Sequence, residues 1–247
     1  FLKAQGLRFF PAPVGNAFIT VVSQGIQTQP GGVEFLVIGT QKVVGSDCTG
    51  GGLSGIYWSA DGKHYAAKCK ATQNSYWIMA DGKKGLEYTT VSDVTFTAAG
   101  KPVYMAQTNN KFYIVTGDEE SNGYIGIAQT VVDSAFLATV IGGNHVGFIG
   151  LAPQGEMITV IDNKPVGGTR KAVSDLMFSP DGSHFAFAST NGVNLDGVDD
   201  GSAIVDYQRG IRESGQSIPP GKLLFSPDGK HLATGAASGT GRPSGVR

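Results

Sequence analysis

The chain has four histidines, and all four stand two residues after a glycine: Gly62–His64, Gly143–His145, Gly182–His184 and Gly229–His231. Imidazole titrates near neutral pH and ligates metals. A ring of equivalent histidines is therefore raw material for a general base or a Zn²⁺ site. The competing reading is a polar position repeated at the solvent edge of a structural repeat, and two arguments favour it. Equivalent positions in neighbouring repeats stand too far apart to share one tetrahedral ion whose ligands lie at about 2.0–2.1 Å. The recurrence is also inherited with the repeat, so four coincidences count as one. A second cluster is Asp196, Asp199 and Asp200 within Asn194-Leu195-Asp196-Gly197-Val198-Asp199-Asp200-Gly201. Alternating carboxylates and glycines can wrap Ca²⁺, but the spacing is not that of a twelve-residue calcium loop, and a plain acidic turn is the simpler reading. Asp118-Glu119-Glu120 reads as a solvated turn. No Gly-x-Ser-x-Gly elbow is present, and the glycine runs lack the Lys-Ser/Thr of a phosphate loop. The two cysteines, Cys48 and Cys69, fit one disulfide in an oxidising compartment or two free thiols, and two residues carry too little pattern to choose.

The elements that carry these residues are legible from a repeat. Phe178-Ser179-Pro180-Asp181-Gly182 recurs unchanged as Phe225-Ser226-Pro227-Asp228-Gly229. Trp58-Ser59-Ala60-Asp61-Gly62 is a close third copy, and fainter ones centre on Gly15, Gly100 and Gly143. Pro presets φ, Asp bonds its own backbone and Gly accepts φ > 0, which together specify a tight turn. Short apolar runs enter and leave each turn, as Leu176-Met177-Phe178 and Phe185-Ala186-Phe187 do, so each repeat opens with a hairpin. Third strands are expected at Val33–Ile38, Tyr76–Met79, Phe112–Val115, Met157–Ile161 and Ala203–Val205, and a short fourth strand at Leu86–Thr90. Asn194–Gly201 then falls in the loop between second and third strands of the fifth repeat. Four strands per repeat of about 40–45 residues is the arithmetic of a β-propeller blade. The fold expected is all-β, a β-propeller of five four-stranded blades plus a partial sixth.

On these residues the chain resembles the TolB-type, WD-like β-propeller repeat of bacterial proteins, whose pattern is an FSPDGK turn, an apolar strand and a strand ending in a DGK-like turn. Residues 55–90 and 171–235 carry the pattern well, 91–170 in degraded form and 1–54 by spacing only. The Trp-Asp dipeptide and Gly-His opening of eukaryotic WD repeats are absent. The resemblance implies a fold and little about activity, since one fold hosts many functions.

Composition sets outer bounds. With 19 basic and 20 acidic residues the net charge is −1, and no basic face points to nucleic acid. No apolar run reaches the length of a membrane-spanning helix. The chain begins at Phe1 without an initiator Met or signal peptide, which suits a processed or excised piece; a bacterial periplasmic or secreted setting is favoured over the cytoplasm. One propeller domain is expected over residues 1–237, with a flexible tail at 238–247. The function expected is a non-catalytic scaffold or binding module for a protein or small-molecule ligand. The alternative is a hydrolase of esterase or phosphoester type, with a metal (Ca or Zn) or nucleophile near the central channel or at a dimer interface. The two-stranded sixth repeat leaves an open β-edge, and pairing of two such edges predicts a homodimer.

Overall fold

A computed structural model of the chain describes residues 4–26, 29–49, 52–128, 130–132, 135–137, 139–189, 192–199 and 223–234. Every strand pairing is antiparallel, and there is no helix among the described residues. The chain divides into two compact units, Phe1–Ser121 and Asn122–Arg247.

The first unit holds three sheets. Sheet 1 runs Ala4–Pro11, Phe18–Ile26, Gln29–Ile38, Gln41–Lys42, with Cys48–Thr49 added along its third strand. Sheet 2 is the plain meander Gly52–Trp58, Tyr65–Thr72, Ser75–Ala80, Lys83–Tyr88. Sheet 3 is Pro102–Thr108, Lys111–Thr116 and Glu119–Glu120, with its first strand in two pieces, Thr90–Val91 and Thr95–Phe96, both on Pro102–Thr108. The fourth strand of sheet 2 thus ends at Tyr88 rather than Thr90. The Thr89 N–H already bonds the Gln107 carbonyl at 2.8 Å, so the chain has crossed to the next sheet. Ser92 fills the break: its N–H bonds the Met105 carbonyl, and its Oγ accepts the Met105 N–H at 2.9 Å.

The second unit repeats the plan. Sheet 4 is His145–Leu151, Met157–Ile161 and Lys164–Arg170, again with a first strand in two pieces, Gly126–Ala128 and Val140–Gly142. Between these pieces the chain makes a small hairpin, Thr130–Val132 with Ala135–Leu137. Sheet 5 is Val173–Phe178, Phe185–Ser189, Gly192–Leu195, Val198–Asp199, and sheet 6 is Leu223–Phe225 with Leu232–Thr234. Sheet 5 corrects the sequence reading. Its third strand is Gly192–Leu195, not Ala203–Val205, which lies outside the described residues along with Asp200 and the tail. Ser189 pairs directly with Gly192, so the third strand follows the second after a short connection and begins well before the apolar run at 203–205. Asp196-Gly197 is consequently the turn between third and fourth strands.

All six repeat glycines have positive φ, from 58° at Gly143 to 80° at Gly15, and each lies between two paired strands. A turn of the same kind at Ala152–Glu156 was not read from the sequence: Ala152 N–H to Glu156 O is 2.8 Å, with Gly155 at φ 80°. It joins second and third strands, so it opens no repeat.

Alternation along the middle strands explains why the sheets stack. In sheet 2, Ala67, Cys69, Trp77 and Met79 pack with Ile19, Val21 and Leu36 of sheet 1. Their neighbours Ala66 and Ile78 pack with Tyr104, Ala106 and Val115 of sheet 3. Sheet 5 does the same: Leu176 and Phe187 join Ile149 and Ile161 of sheet 4, while Ala186 and Ala188 join Leu223 and Phe225 of sheet 6. A strand apolar on both faces, with alanines where sheets approach closely, is the sequence of a sheet buried on both sides.

Two polar links reinforce the first interface. Glu34 takes hydrogen bonds from Arg8 (2.7 Å), Ser23 (2.7 Å) and the Leu53 N–H (2.6 Å), and Arg8 also reaches the Leu53 carbonyl. Cys48 and Cys69 are paired as a disulfide with their Cα atoms 5.7 Å apart, both buried. This resolves the choice the sequence left open.

Candidate functional site

The histidines are positioned by the turns. In three copies a serine at the turn entrance donates to the turn aspartate: Ser59 to Asp61 and Ser179 to Asp181 at 2.6 Å, Ser226 to Asp228 at 2.5 Å. The same hydroxyl accepts the N–H of His64, His184 or His231 at 2.9–3.0 Å. These bonds favour the carboxylate over the acid. Asp61 and Asp228 are held below the usual range chiefly by the serine hydroxyl. Asp181, which also takes bonds from the Ser183 hydroxyl and N–H, falls to about 2.

Beyond the turn, three of the four imidazoles share one partner type. The Nδ1 of His64, His145 and His184 lies 2.8, 2.6 and 2.6 Å from Asp81, Asp162 and Asp196. The other oxygen of each carboxylate accepts the N–H of the residue after the histidine, Tyr65, Val146 or Phe185. Each aspartate ends the third strand of the same sheet in a left-handed conformation, φ 47°, 48° and 51°. Asp is among the few residues tolerated there, and its side-chain bonds offset the strain. The other two sheets of this kind omit both partners. In sheet 3 the corresponding residues are Lys101 and Gly117 (φ 62°), and in sheet 1 Ala17 and Gly39 (φ 61°). Where the histidine is missing, the left-handed position reverts to glycine. The pair is therefore one device, a clasp between second and third strands. Two of the clasps span the same 17 residues, a recurrence that shows in the sequence only when histidine and aspartate are read as a pair.

Two of the rings, those of His64 and His145, also pack toward the following repeat. A Cβ built on Gly100 would stand 2.0 Å from the His64 ring, so that glycine admits the imidazole. His145 stacks on Phe178 at 6.2 Å and 25°. The Asp196 bond strengthens the protonated form of His184 and raises its pKa. Of the proposed cation cluster, Asp196 is engaged by His184 and the Phe185 N–H, Asp199 lies in the last strand of sheet 5 and Asp200 is outside the described residues. Among the described residues no three His, Cys, Asp or Glu side chains gather where they could hold an ion.

Sheets 2 and 3 leave a cleft of about 390 Å³ at the end that carries the His64–Asp81 clasp. Ile78, Ala80, Pro102 and Tyr104 supply an apolar floor. Burial, reinforced by the charges of Glu120 and Asp118, pushes the Tyr104 phenol up to about 12. Around the rim stand His64, Lys83, Lys101, Asp118 and Glu119. Lys83 reaches from sheet 2 to form an ion pair with Asp118 of sheet 3. No local sequence pattern marks this cleft, because its walls come from two separate repeats.

No family model matches the chain, and no curated protein matches it. Among solved structures, the chain is similar to the Dos1 propeller, with 14% identity over 78% of this chain and 55% of that one, TM-score 0.34. It is similar also to the β-propeller domain of the Trilobed protease from Pyrococcus furiosus, described as having an open velcro topology (10% identity, 78% and 82% covered, TM-score 0.33). A third is TolB from Acinetobacter baumannii (12% identity, 94% and 58% covered, TM-score 0.31). The chain thus spans little more than half the length of the first and third.

Proposed function

We propose that the chain is a non-catalytic binding module built of propeller blades, five of four strands and a partial sixth in one domain. The blade reading is supported within each unit by the stacking of successive sheets and by their turns. Gly62 lies against Ala12 and Val14 of the preceding turn, Gly182 against Gly142, and Gly229 against Asp181. The buried disulfide favours an oxidising compartment, in keeping with a periplasmic or secreted protein.

The observation that carries the binding reading is the use of the histidines. Each clasped imidazole spends Nδ1 on an aspartate of its own sheet, and the device recurs in three sheets as a fold element. The hydrolase alternative draws on the same geometry in one place only: at the cleft, His64 oriented by Asp81 is the arrangement of a general base. Metal analysis together with turnover of activated ester and phosphoester substrates separates the two. The binding reading expects no stoichiometric transition metal and no turnover. About one equivalent of such a metal, or turnover lost in His64→Gln, overturns it. The same analysis reads calcium, the cation proposed for Asp196, Asp199 and Asp200.

A further inference from the structure

We propose that the cleft between sheets 2 and 3 binds a small zwitterion with an apolar side group, a free α-amino acid, its carboxylate on Lys101 and its ammonium on Glu119. The inference rests on the binding-module reading and names the ligand class of that site.

The charges select the class. Asp81 is taken up by His64 and the Tyr65 N–H. Lys83 and Asp118 neutralise one another. Lys101 and Glu119 remain, exposed, of opposite sign and, among the described residues, in no ion pair. Both stand at the same end of sheet 3. Thr116 pairs with Glu119, and the Lys101 side chain runs past Gly117, its Cδ 3.7 Å from where a Cβ there would sit. A ligand with a single charge leaves one of these two groups unmatched, whereas a zwitterion gives each a charge-assisted hydrogen bond. A phosphate would meet the Asp118 and Glu119 carboxylates. The floor of Ile78, Ala80, Pro102 and Tyr104 suits an apolar side group. Gly85 keeps that floor open, since a Cβ on it would come within 3.1 Å of the Ile78 carbonyl and 3.4 Å of the Tyr104 hydroxyl. A space of about 390 Å³ falls within the range of small-molecule sites, roughly 300–1,000 Å³.

The test is an amide chemical-shift titration of the full chain with three probes of one shape: phenylalanine, phenethylamine and hydrocinnamate. Phenylalanine is expected to shift residues around Lys83, Lys101 and Glu119 and to bind about tenfold more tightly than either singly charged probe, the size of one charge-assisted hydrogen bond. Lys101→Gln and Glu119→Gln, both at exposed positions, are expected to abolish that preference while leaving the melting temperature unchanged. Equal affinity for the three probes overturns the assignment. So does the absence of shifts in the cleft at millimolar phenylalanine, or a preference that survives both substitutions. Metal content and turnover test the binding-module reading independently, so failure of one is distinguishable from failure of the other.

Discussion

At the scale of single residues, the His–Asp clasp makes a signed prediction. The pKa of His184 is raised by the hydrogen bond to Asp196. A group whose folded pKa lies above its unfolded value, about 6.5 for histidine, contributes stability in full below the unfolded value. That contribution is lost as pH rises through the folded value. His184→Gln should therefore lower the melting temperature more at pH 5.5 than at pH 8.5. Thermal scans of the two proteins at both pH values check this, and a difference that does not change with pH would mean the ion pair contributes nothing. Asp181 acts in the opposite sense. Its depressed pKa gives stability that is present above the usual carboxyl value and fades as pH falls toward about 2. Ser179, which donates to Asp181 and accepts from the His184 N–H, joins the turn to the clasp. The sequence displayed the turn fully, because Ser, Pro, Asp and Gly act on their own neighbours. It displayed the clasp only by halves, because His64 and Asp81 meet through strand pairing, which no local pattern records.

At the scale of elements, what was legible followed the same division. Strands alternating about a strong turn, such as those read from Leu176-Met177-Phe178 and Phe185-Ala186-Phe187, are legible to within a few residues of Val173–Phe178 and Phe185–Ser189, since their period and punctuation lie in one stretch of chain. The two-piece first strands of sheets 3 and 4 were not read. What makes Thr90–Val91 and Thr95–Phe96 one strand is their common partner Pro102–Thr108. Likewise, Gly192–Leu195 is a short strand whose apolar run is no stronger than the later one at 203–205, and its pairing with Phe185–Ser189 is what makes it the third strand. The disulfide is a further non-local term. It fastens the strand added to sheet 1, through Cys48, to the second strand of sheet 2, through Cys69, across a separation of 21 residues. A cross-link closing a loop of that size stabilises by about 3 kcal/mol in the chain-entropy account. The double variant Cys48→Ala, Cys69→Ala is expected to lose about that much in urea denaturation. It should also unfold with a larger m value, since its denatured state is less compact. Unchanged denaturation would mean that the thiols are not paired in solution.

At the scale of the whole molecule, the open question is how the last repeat is completed. Sheet 6 has two strands among the described residues, Leu223–Phe225 and Leu232–Thr234. Backbone groups on the outer side of such a strand are a template for pairing. In the first unit, sheet 1 packs one face on sheet 2 through Phe10, Ile19 and Val21. Its opposite face carries Leu7, Phe9 and Phe18, exposed by 54, 62 and 42%, with the two phenyl rings 6.2 Å apart. Sheets 2 and 5 show what such a face accepts, because in each of them both faces are covered by another sheet of the same kind. A second copy of the chain supplies both an edge strand and such a sheet, and a two-fold dimer is the commonest way to close an assembly of identical chains. We therefore expect a homodimer at micromolar concentration. Phe9→Asp, on the exposed face and away from the packed one, should convert it to a monomer without lowering the stability of the fold. Sedimentation velocity of the two proteins decides the matter. A parent chain that sediments as a monomer across the concentration range would show that the edge and the face are satisfied within one chain, and that the repeats close on themselves.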